Sequence, residues 1–445
     1  MKINLPNEVI SIIDQLQESG YSAHVVGGCV RDSLLGRKPE DWDITTSAKP
    51  EEVKKLFQKT IDTGLQHGTV TILIDNKSYE VTTYRIDGKY LDNRRPESVE
   101  YTQDLIEDLK RRDFTINAMA YNNEDGLVDV FDGIKDLKEG IIKCVGNPIE
   151  RFNEDALRML RAIRFAAQLS FKIEQNTEIA IKKLSRNINN ISAERILVEL
   201  TKLLISNNPQ LIKKLYELNL LENIIPEFLP CFETEQENPH HMYNVGDHTL
   251  KTLGYIEGDA ILRWTMLFHD IGKPAKKTTD KKGIAHFYGH AEESSILAER
   301  ILKRLKADNK TITTVKRLII HHDYRYKVSS KTVRKAIFKV GEDIFPLLLK
   351  VQKADVMAQS EYMKEEKLLT IEKINEIYKK IIEENQCVSI KQLEITGKDI
   401  IALGINEGKH IGETLNFLIN VVLEDPEKNN TFTLLELAKK KLNIK

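Results

Sequence analysis

The sequence lacks a large net charge, paired cysteines and any long apolar run. Its 66 lysines and arginines nearly balance 67 aspartates and glutamates, giving a formal net charge of −1, so any basic surface for nucleic acid must be local. No apolar run approaches membrane-spanning length, and the N-terminal residues lack a signal-peptide pattern. We therefore expect a cytoplasmic protein with no membrane partner.

The four cysteines are scattered along the chain, and no two of them form a CxxC pair. This spacing argues against a zinc ribbon or a disulfide framework and fits a reducing compartment. The 445 residues are 41% hydrophobic and 30% charged, which is typical of a globular protein with an ample core.

A glycine pair near the N-terminus follows a predicted strand at residues 21–26, and a helix is predicted from Val30. A turn at Gly27 and Gly28 would let backbone N–H groups approach a phosphate closely, and the dipole of the helix favours an anion. Arg31, in the first turn of that helix, would add a charged donor. The segment therefore predicts a phosphate-binding turn.

Two aspartates follow, and Asp41 and Asp43 alternate with Trp42 and Ile44. Residues i and i+2 of a strand share a face, so both carboxylates would point the same way while Trp42 and Ile44 face the core. Adjacent carboxylates repel each other unless a cation lies between them, and the usual cation is Mg²⁺ held with a nucleoside triphosphate. Taken alone, the glycine pair could be an ordinary turn, and the aspartate pair could be a solvated strand end.

Together, the strings GGCVRDSLLG (27–36) and DWD (41–43) resemble the signature of the nucleotidyltransferase superfamily that includes DNA polymerase β. The fuller string is similar to tRNA nucleotidyltransferases (CCA-adding enzymes) and bacterial poly(A) polymerases. The resemblance implies a polymerase-β-like α/β head that uses Mg²⁺, held by Asp41 and Asp43, to add CMP and AMP from CTP and ATP to tRNA. Gly28 and Arg31 would then bind the nucleotide.

A third carboxylate is expected in this superfamily, to orient the attacking hydroxyl or take its proton. A hairpin is predicted from residues 68–74 and 78–85, and Glu80 on its second strand can face the same cleft as the aspartates. An exposed strand glutamate is equally compatible with the pattern. Asp113 competes for the role.

Residues 86–100 are rich in Gly, Asp, Asn, Arg and Pro and predict a mobile loop beside the site. Arg94 and Arg95 in this loop could touch phosphates or tRNA.

The octet RRDFTINA (111–118) matches a motif of the same family closely. By that resemblance Arg112 contacts the incoming nucleotide, while Asp113 and Asn117 hold the architecture of the site. DVFDGIKDL (129–137) also matches and closes the head.

Beyond residue 150 the pattern becomes that of amphipathic helices. Asp155 and Arg158 are three residues apart and are expected on one helical face, with Arg161 continuing the row and Arg164 drifting slightly around the helix. An isolated Asp-x-x-Arg is ordinarily an intrahelical ion pair.

Nucleobase chemistry offers a second interpretation. Cytosine and adenine both present an amino donor beside a ring-nitrogen acceptor, so a fixed carboxylate and guanidinium would take C and A and refuse U and G. This matches the family's EDxxR motif, in which side chains replace a nucleic-acid template. The resemblance assigns Asp155 and Arg158 to base reading and Arg161 and Arg164 to nucleotide contacts. Residues 192–195 resemble the next family motif and are expected to be structural.

Most of the 11 histidines fall between residues 240 and 322. Their order, H…HD…H…HH…D, resembles the HD superfamily of metal-dependent phosphohydrolases, including its HDIG branch. Imidazole ligands suit Mn²⁺, Ni²⁺ or Fe²⁺. The minimal ligand set implied by the resemblance is His248, His269, Asp270 and Asp355, and a two-metal site would add His290, His321 and His322.

The expected organisation has four parts. They are a nucleotidyltransferase head (1–150), a helical neck and body with base-reading helices (151–235), an HD domain (236–370) and a helical tail (371–445). The tail carries a glycine ladder that is not a Walker loop, and its basic end could lie along tRNA or be merely solvated.

Within the same class, a poly(A) polymerase and a partial enzyme adding only A or only CC remain alternatives. A phosphohydrolase with a degenerate RNA-binding head and a non-catalytic RNA-binding protein are disfavoured by the intact carboxylates. The expected partners are tRNA, ATP and CTP, and the protein is expected to be a monomer or a homodimer.

Overall fold

The chain forms two compact units, Met1–Pro226 and Glu227–Lys445. A computed structural model describes residues 2–64, 68–88, 98–405 and 408–442. The predicted contacts of Arg94 and Arg95 lie outside the described residues. The prediction of an α/β head followed by a helical body is confirmed.

The head contains a seven-stranded sheet. Its strands are β1 (Ala23–Val26), β2 (Ile44–Thr46), β3 (Thr60–Gly64), β4 (Thr69–Ile74), β5 (Lys77–Thr83), β6 (Arg85–Asp87), β7 (Val99–Tyr101), β8 (Met119–Asn122) and β9 (Gly126–Asp129). The sheet order is β3-β4-β5-β2-β1-β8-β9, and β6 pairs with β7 apart from it. The β2–β5 pair is parallel, and the other neighbours are antiparallel.

The centre of this sheet brings the glycine pair and the aspartates together. Val25 pairs with Ile44, and the Val26 N–H donates to the Asp43 carbonyl at 3.0 Å. The pairing of β1 with β2 therefore begins at Asp43, the residue just before β2. Because β1 runs directly into Gly27, the turn and Asp43 are neighbours across the sheet.

The hairpin of β4 and β5 carries Glu80 into the same sheet. Its turn is formed by Asp75 and Asn76, whose positive φ angles of 49° and 61° are tolerated by these two residue types. The predicted hairpin is confirmed, with a turn one residue shorter than expected.

Helices cover the head and build the remainder of the first unit. In the head, α1 buries Val9, Ile12, Ile13 and Leu16, which recur at helical spacing. The helices of this unit are α1 (Asn7–Glu18), α2 (Gly28–Leu34), α3 (Pro50–Leu56), α4 (Leu105–Lys110), α5 (Gly133–Glu139), α6 (Pro148–Glu154), α7 (Leu157–Leu169), α8 (Gln175–Leu184), α9 (Ala193–Leu204), α10 (Lys213–Glu217) and α11 (Leu221–Ile224). A short parallel pair joins β10 (Ile141–Ile142) to β11 (Lys172–Ile173).

The second unit is helical apart from a two-stranded ribbon, β12 (Thr278–Thr279) with β13 (Ala285–His286). Its helices are α12 (Leu229–Glu233), α13 (Val245–Gly254), α14 (Ala260–Phe268), α15 (Lys273–Lys276), α16 (His290–Arg304), α17 (Asn309–His321), α18 (Ser330–Val340), α19 (Phe345–Met357), α20 (Lys364–Glu383), α21 (Gly397–Ala402), α22 (Gly408–Glu424) and α23 (Thr431–Leu442). Across the described ranges, no helix has both the length and the apolarity to cross a membrane.

Candidate active site and metal centre

The glycine turn forms one wall of a cleft of about 920 Å³ in the first unit. Gly27 has a φ of 81°, a backbone conformation that residues with a side chain rarely adopt. A Cβ at this position would lie 3.2 Å from Nη1 of Arg112. The Arg31 guanidinium donates to both Asp32 oxygens and, at 2.6 Å, to Oδ1 of Asn117. Arg31 is therefore held rigidly in the cleft wall beside the turn.

The aspartates open into the same cleft. The pKa of Asp43 is raised, first by partial loss of hydration and then by the charges of Glu80 and Asp41, while Arg112 opposes the rise. The charges of two further carboxylates, Glu80 and Asp41, thus act on Asp43.

Asp113 lies in the cleft but is committed to other protein groups. It accepts from Arg161 at 2.8 Å and from Nδ2 of Asn117 at 3.1 Å. Burial opposes its ionisation, but Arg161, the Asn117 hydrogen bond and Arg158 outweigh burial and lower its pKa to about 2. Its carboxylate therefore serves to fix Arg161.

The expectation that Asp155 and Arg158 lie on one helical face is wrong, because the helix breaks between them. Asp155 ends α6 with φ −138° and ψ 104°, and its Oδ1 accepts the Leu157 N–H at the start of α7. Its carboxylate accepts from Arg195 at 2.7 Å, whereas Arg158 donates to Glu154. Both side chains still line the cleft.

Arg195 was expected to be structural, and the structure places it in the cleft against Asp155. In sequence, Glu199 stands four residues further along the same helix and is the obvious partner for Arg195. Glu199 instead accepts from the buried Arg164 of α7. The i, i+4 spacing of Arg195 and Glu199 therefore suggests an ion pair that differs from the two pairs in the structure.

A single phenyl ring gathers three of the arginines. The guanidinium carbons of Arg31, Arg161 and Arg164 lie 5.0, 5.2 and 3.8 Å from the centroid of Phe165. Such contacts stabilise a cation over an aromatic face. Arg161 remains partly accessible from the cleft, while Arg164 is mostly buried.

A second cluster, in the Glu227–Lys445 unit, contains three histidines in one tautomer. His269, His290 and His322 each direct Nδ1 at a backbone carbonyl three residues earlier, at 2.7, 2.8 and 2.6 Å. A carbonyl only accepts, so each Nδ1 carries the proton and each Nε2 of the neutral ring presents a lone pair. This arrangement is typical of metal-ligating imidazoles.

Asp270 joins two groups of such ligands. Its Oδ2 lies 3.2 Å from Nε2 of His269, and its Oδ1 lies 3.4 Å from Nε2 of His290. The ligand atoms of His248, His269 and Asp270 fall within 4.8 Å of one another, as do those of Asp270, His290 and His322. Asp355 adds a carboxylate 3.0 Å from His248.

The donor set fits divalent cations. Nε2 of His269 is buried without a hydrogen-bond partner, and the bare Nε2 atoms of His290 and His322 face each other at 3.3 Å. A cation between such lone pairs removes their repulsion and their cost of burial.

His321 is a correction to the predicted ligand set. Consecutive residues of a helix point about 100° apart, so only one of His321 and His322 can face the cluster. Among the described residues His321 belongs to neither ligand group, and its pKa is lowered by burial and by Lys339 and Arg317. His241, to which the sequence analysis gave no role, lines a second cleft, beside the histidine cluster. Its Nδ1 is buried without a hydrogen-bond partner, and its ring centroid lies 5.1 Å from that of His248.

Three family models match parts of the chain. Residues 23–143 match the "Poly A polymerase head domain", residues 170–232 match "Probable RNA and SrmB- binding site of polymerase A", and residues 276–438 match "tRNA nucleotidyltransferase domain 2".

Full-length relatives carry one name. The chain is 36% identical to the CCA-adding enzyme of Ligilactobacillus salivarius, covering 99% of both chains, and 35% identical to that of Enterococcus faecalis, covering 98% of this chain and 97% of the relative. The solved Bacillus stearothermophilus CCA-adding enzyme in complex with CTP is 28% identical over 98% of each chain, with a TM-score of 0.72. A Thermotoga maritima CCA-adding enzyme complexed with tRNA, at 21% identity and a TM-score of 0.60, shares the fold.

Proposed function

The chain belongs to the family of CCA-adding enzymes, and we infer from this membership that it adds CMP and AMP, taken from CTP and ATP, to the 3′ end of tRNA. One observation supports the inference most strongly. The glycine turn, the Asp41–Asp43 pair and the Asp155–Arg158 pair all line a single cleft. Triphosphate binding, metal binding and base reading can therefore act on one nucleotide without a nucleic-acid template.

CCA-adding enzymes are metal-dependent, and we propose Mg²⁺ for this head, held by Asp41 and Asp43. Carboxylate oxygens are preferred ligands of Mg²⁺. The pKa of Asp43 is raised by loss of hydration and by the nearby charges of Glu80 and Asp41, and a bound cation would offset both effects. When bound, such an ion neutralises triphosphate charge and favours ionisation of the attacking 3′-hydroxyl.

Glu80 is the better candidate for the third carboxylate. It acts on Asp43 electrostatically, whereas Asp113 is bound to Arg161 and Asn117 and kept ionised by them. We assign Glu80 to orienting the hydroxyl of the tRNA end or accepting its proton, and Asp113 to positioning Arg161.

Base selection is assigned to Asp155 and Arg158. Arg195 fixes the carboxylate and Glu154 fixes the guanidinium, so both groups are held by other residues when a base arrives. The Asp155 oxygen would accept the amino group of C or A, and Arg158 would donate to the adjacent ring nitrogen. U or G would leave these partners unpaired, which is a strong basis for refusal. Arg31, Arg112, Arg161 and Arg164 would contact or orient the remainder of the nucleotide.

The products on defined tRNA ends test this function. Transcripts lacking A, CA or CCA are each incubated with one labelled nucleotide at a time, and the products are sequenced. We expect addition of only the missing residues, in order, followed by a stop. Long A tracts would indicate a poly(A) polymerase, and failure on one transcript class would indicate an enzyme adding only A or only CC.

A second function is favoured by the histidine cluster. We propose that the second unit is a metal-dependent phosphohydrolase with His248, His269, Asp270, His290, His322 and Asp355 as ligands for Mn²⁺, Ni²⁺ or Fe²⁺. Asp270 would contribute to both groups of ligands, because its two oxygens face different histidines. Bound ions would polarise a phosphoester and supply a hydroxide at neutral pH.

The test uses metal-stripped protein titrated with Mg²⁺, Mn²⁺ or Ni²⁺ and assayed on phosphoesters such as 2′,3′-cyclic nucleotides. Hydrolysis stimulated by a transition metal and lost in His269→Ala would support the proposal. Absence of hydrolysis with every metal would contradict it.

We propose that the four parts expected from the sequence have separate roles. In this proposal residues 371–445 contact the tRNA backbone. We propose a cytoplasmic enzyme, since tRNA is its substrate, acting as a monomer or homodimer.

A further inference from the structure

An exposed tyrosine stands at the rim of the cleft that holds the histidine cluster. Tyr288 is 80% exposed and lines this cleft of about 410 Å³ together with His290 and His322. Single exposed apolar side chains usually need no explanation. Tyr288 differs because its ring lies parallel to that of His286, at an interplanar angle of 7° and a centroid distance of 5.4 Å.

The ribbon of β12 and β13 holds this ring pair in place. His286 ends β13, and its Nε2 lies 3.2 Å from Oδ2 of Asp280. The other oxygen of Asp280 accepts the backbone N–H groups of Lys282 and Ile284, which fixes the carboxylate in the turn. His286 therefore lies against part of one face of the Tyr288 ring, and the Tyr288 side chain stays open to a ligand, since it is 80% exposed. A rigid aromatic face loses little conformational entropy when a flat ligand stacks on it.

The ring pair is connected to the ligand cluster by a short stretch of chain. Gly289, with φ 78°, turns the backbone so that α16 begins at His290, whose Nε2 faces Asp270. The cleft volume is in the range of sites for small organic ligands. One ligand can therefore place a planar group on Tyr288 and a phosphoester at the histidines.

We propose that Tyr288, backed by His286, is a stacking platform for a nucleobase, and that the second-unit cleft takes nucleoside phosphates. This proposal rests on the proposed phosphohydrolase and names its substrate class. Bases of every kind have a π face, so stacking gives affinity for nucleotides without strong preference among bases. A phosphoester without a base gains nothing from the platform.

Binding to metal-stripped full-length protein tests the platform apart from hydrolysis. Isothermal titration calorimetry compares 2′,3′-cyclic AMP with ribose 5-phosphate on the wild type, Tyr288→Ala and Tyr288→Phe. The matched control is Tyr255→Ala, since Tyr255 is 51% exposed in the same unit and outside the cleft lining. Any binding by the head is common to all variants and cancels in the comparison.

We expect Tyr288→Ala to weaken binding of cyclic AMP by about tenfold while ribose 5-phosphate is unaffected. Tyr288→Phe, which keeps the ring, and Tyr255→Ala should match the wild type. Equal affinity of the wild type for both ligands, or an unchanged Tyr288→Ala, would overturn the proposal.

Hydrolysis with Mn²⁺ or Ni²⁺ is measured separately on the same variants. If Tyr288→Ala selectively loses nucleotide binding but no variant hydrolyses the substrate, the platform proposal stands and the phosphohydrolase proposal fails. If hydrolysis occurs at rates that depend neither on the presence of a base nor on Tyr288, the phosphohydrolase proposal stands and the platform proposal fails.

Discussion

At the scale of single residues, the head contains carboxylates in two different electrostatic settings. The pKa of Asp43 is raised by loss of hydration and by the charges of Glu80 and Asp41. The pKa of Asp113 is instead lowered to about 2 by Arg161 and by the Asn117 hydrogen bond, which outweigh its burial. The first arrangement calls for a cation, and the second is complete without one. This contrast supports the proposal that Asp41 and Asp43 hold the metal ion while Asp113 positions Arg161.

The exchange Asp43→Asn should lower kcat for nucleotide addition by at least about a hundredfold, because a neutral amide is a poor Mg²⁺ ligand. The affinity for tRNA should change little, since the side chain is small and lies in the nucleotide cleft. Single-turnover addition and a tRNA binding titration measure the two effects. Asp62→Asn, on β3 and paired with Lys54, is the control. Residual activity near that of the control would place the metal elsewhere.

At the scale of elements, α7 organises the cleft through its aromatic ring. Phe165 contacts Arg31 from α2 and Arg161 and Arg164 from its own helix, so one side chain sets the position of three guanidiniums. Each contact is worth about 1 kcal/mol when partly desolvated.

Phe165→Leu keeps an apolar side chain but removes the aromatic face. We expect KM for CTP and ATP to rise by about fivefold, because the arginines lose a common support, with a smaller change in kcat. Phe152→Leu, at a fully buried position in α6, controls for the loss of packing. Steady-state kinetics on both variants test this prediction. Equal changes in KM for the two variants would mean that Phe165 contributes only to core packing.

Elements whose cues are local were predictable from the sequence, and those that depend on tertiary partners were not. The hairpin followed from Asp75 and Asn76, which favour a tight turn with positive φ. The break at Asp155 was missed because helical periodicity continues through it, while capping of α7 is visible only in the hydrogen bond to Leu157. Which histidine of the His321-His322 pair faces the ligand cluster depends on how α17 packs.

The same distinction applies to the site. The motif residues in the cleft were named from the sequence because the strings that contain them resemble motifs of a known family. Arg195 was expected to be only structural, because its ion pair with Asp155 joins residues that lie 40 positions apart in the chain. Ion pairs between elements leave no periodic trace in one sequence.

At the scale of the whole molecule, the two proposed sets of metal ligands fall in different compact units. Asp41 and Asp43 lie in Met1–Pro226, and the histidine cluster lies in Glu227–Lys445. The head offers carboxylates, which suit Mg²⁺, and the second unit offers imidazoles, which suit transition metals. All residues of each proposed set lie within one unit.

We therefore predict that His269→Ala combined with Asp270→Ala leaves CCA addition intact and abolishes the proposed phosphoester hydrolysis. Both activities are followed on metal-stripped protein titrated with Mg²⁺ and with Ni²⁺ or Mn²⁺. His410→Ala, an exposed histidine on α22, is the control. Loss of tRNA end addition in a variant that keeps its fold would mean that the two units are coupled.

The central claim is that amino-acid side chains in one cleft choose C and A without a template. Its most direct test measures incorporation of all four nucleotides into a tRNA transcript lacking CCA, by the wild type and by Asp155→Ala. Glu150→Ala, an exposed position on the same α6, is the control. The account predicts that the wild type adds C, C and A and then stops, whereas Asp155→Ala is slower and also incorporates U and G. A slow Asp155→Ala enzyme that keeps full selectivity for C and A would contradict it.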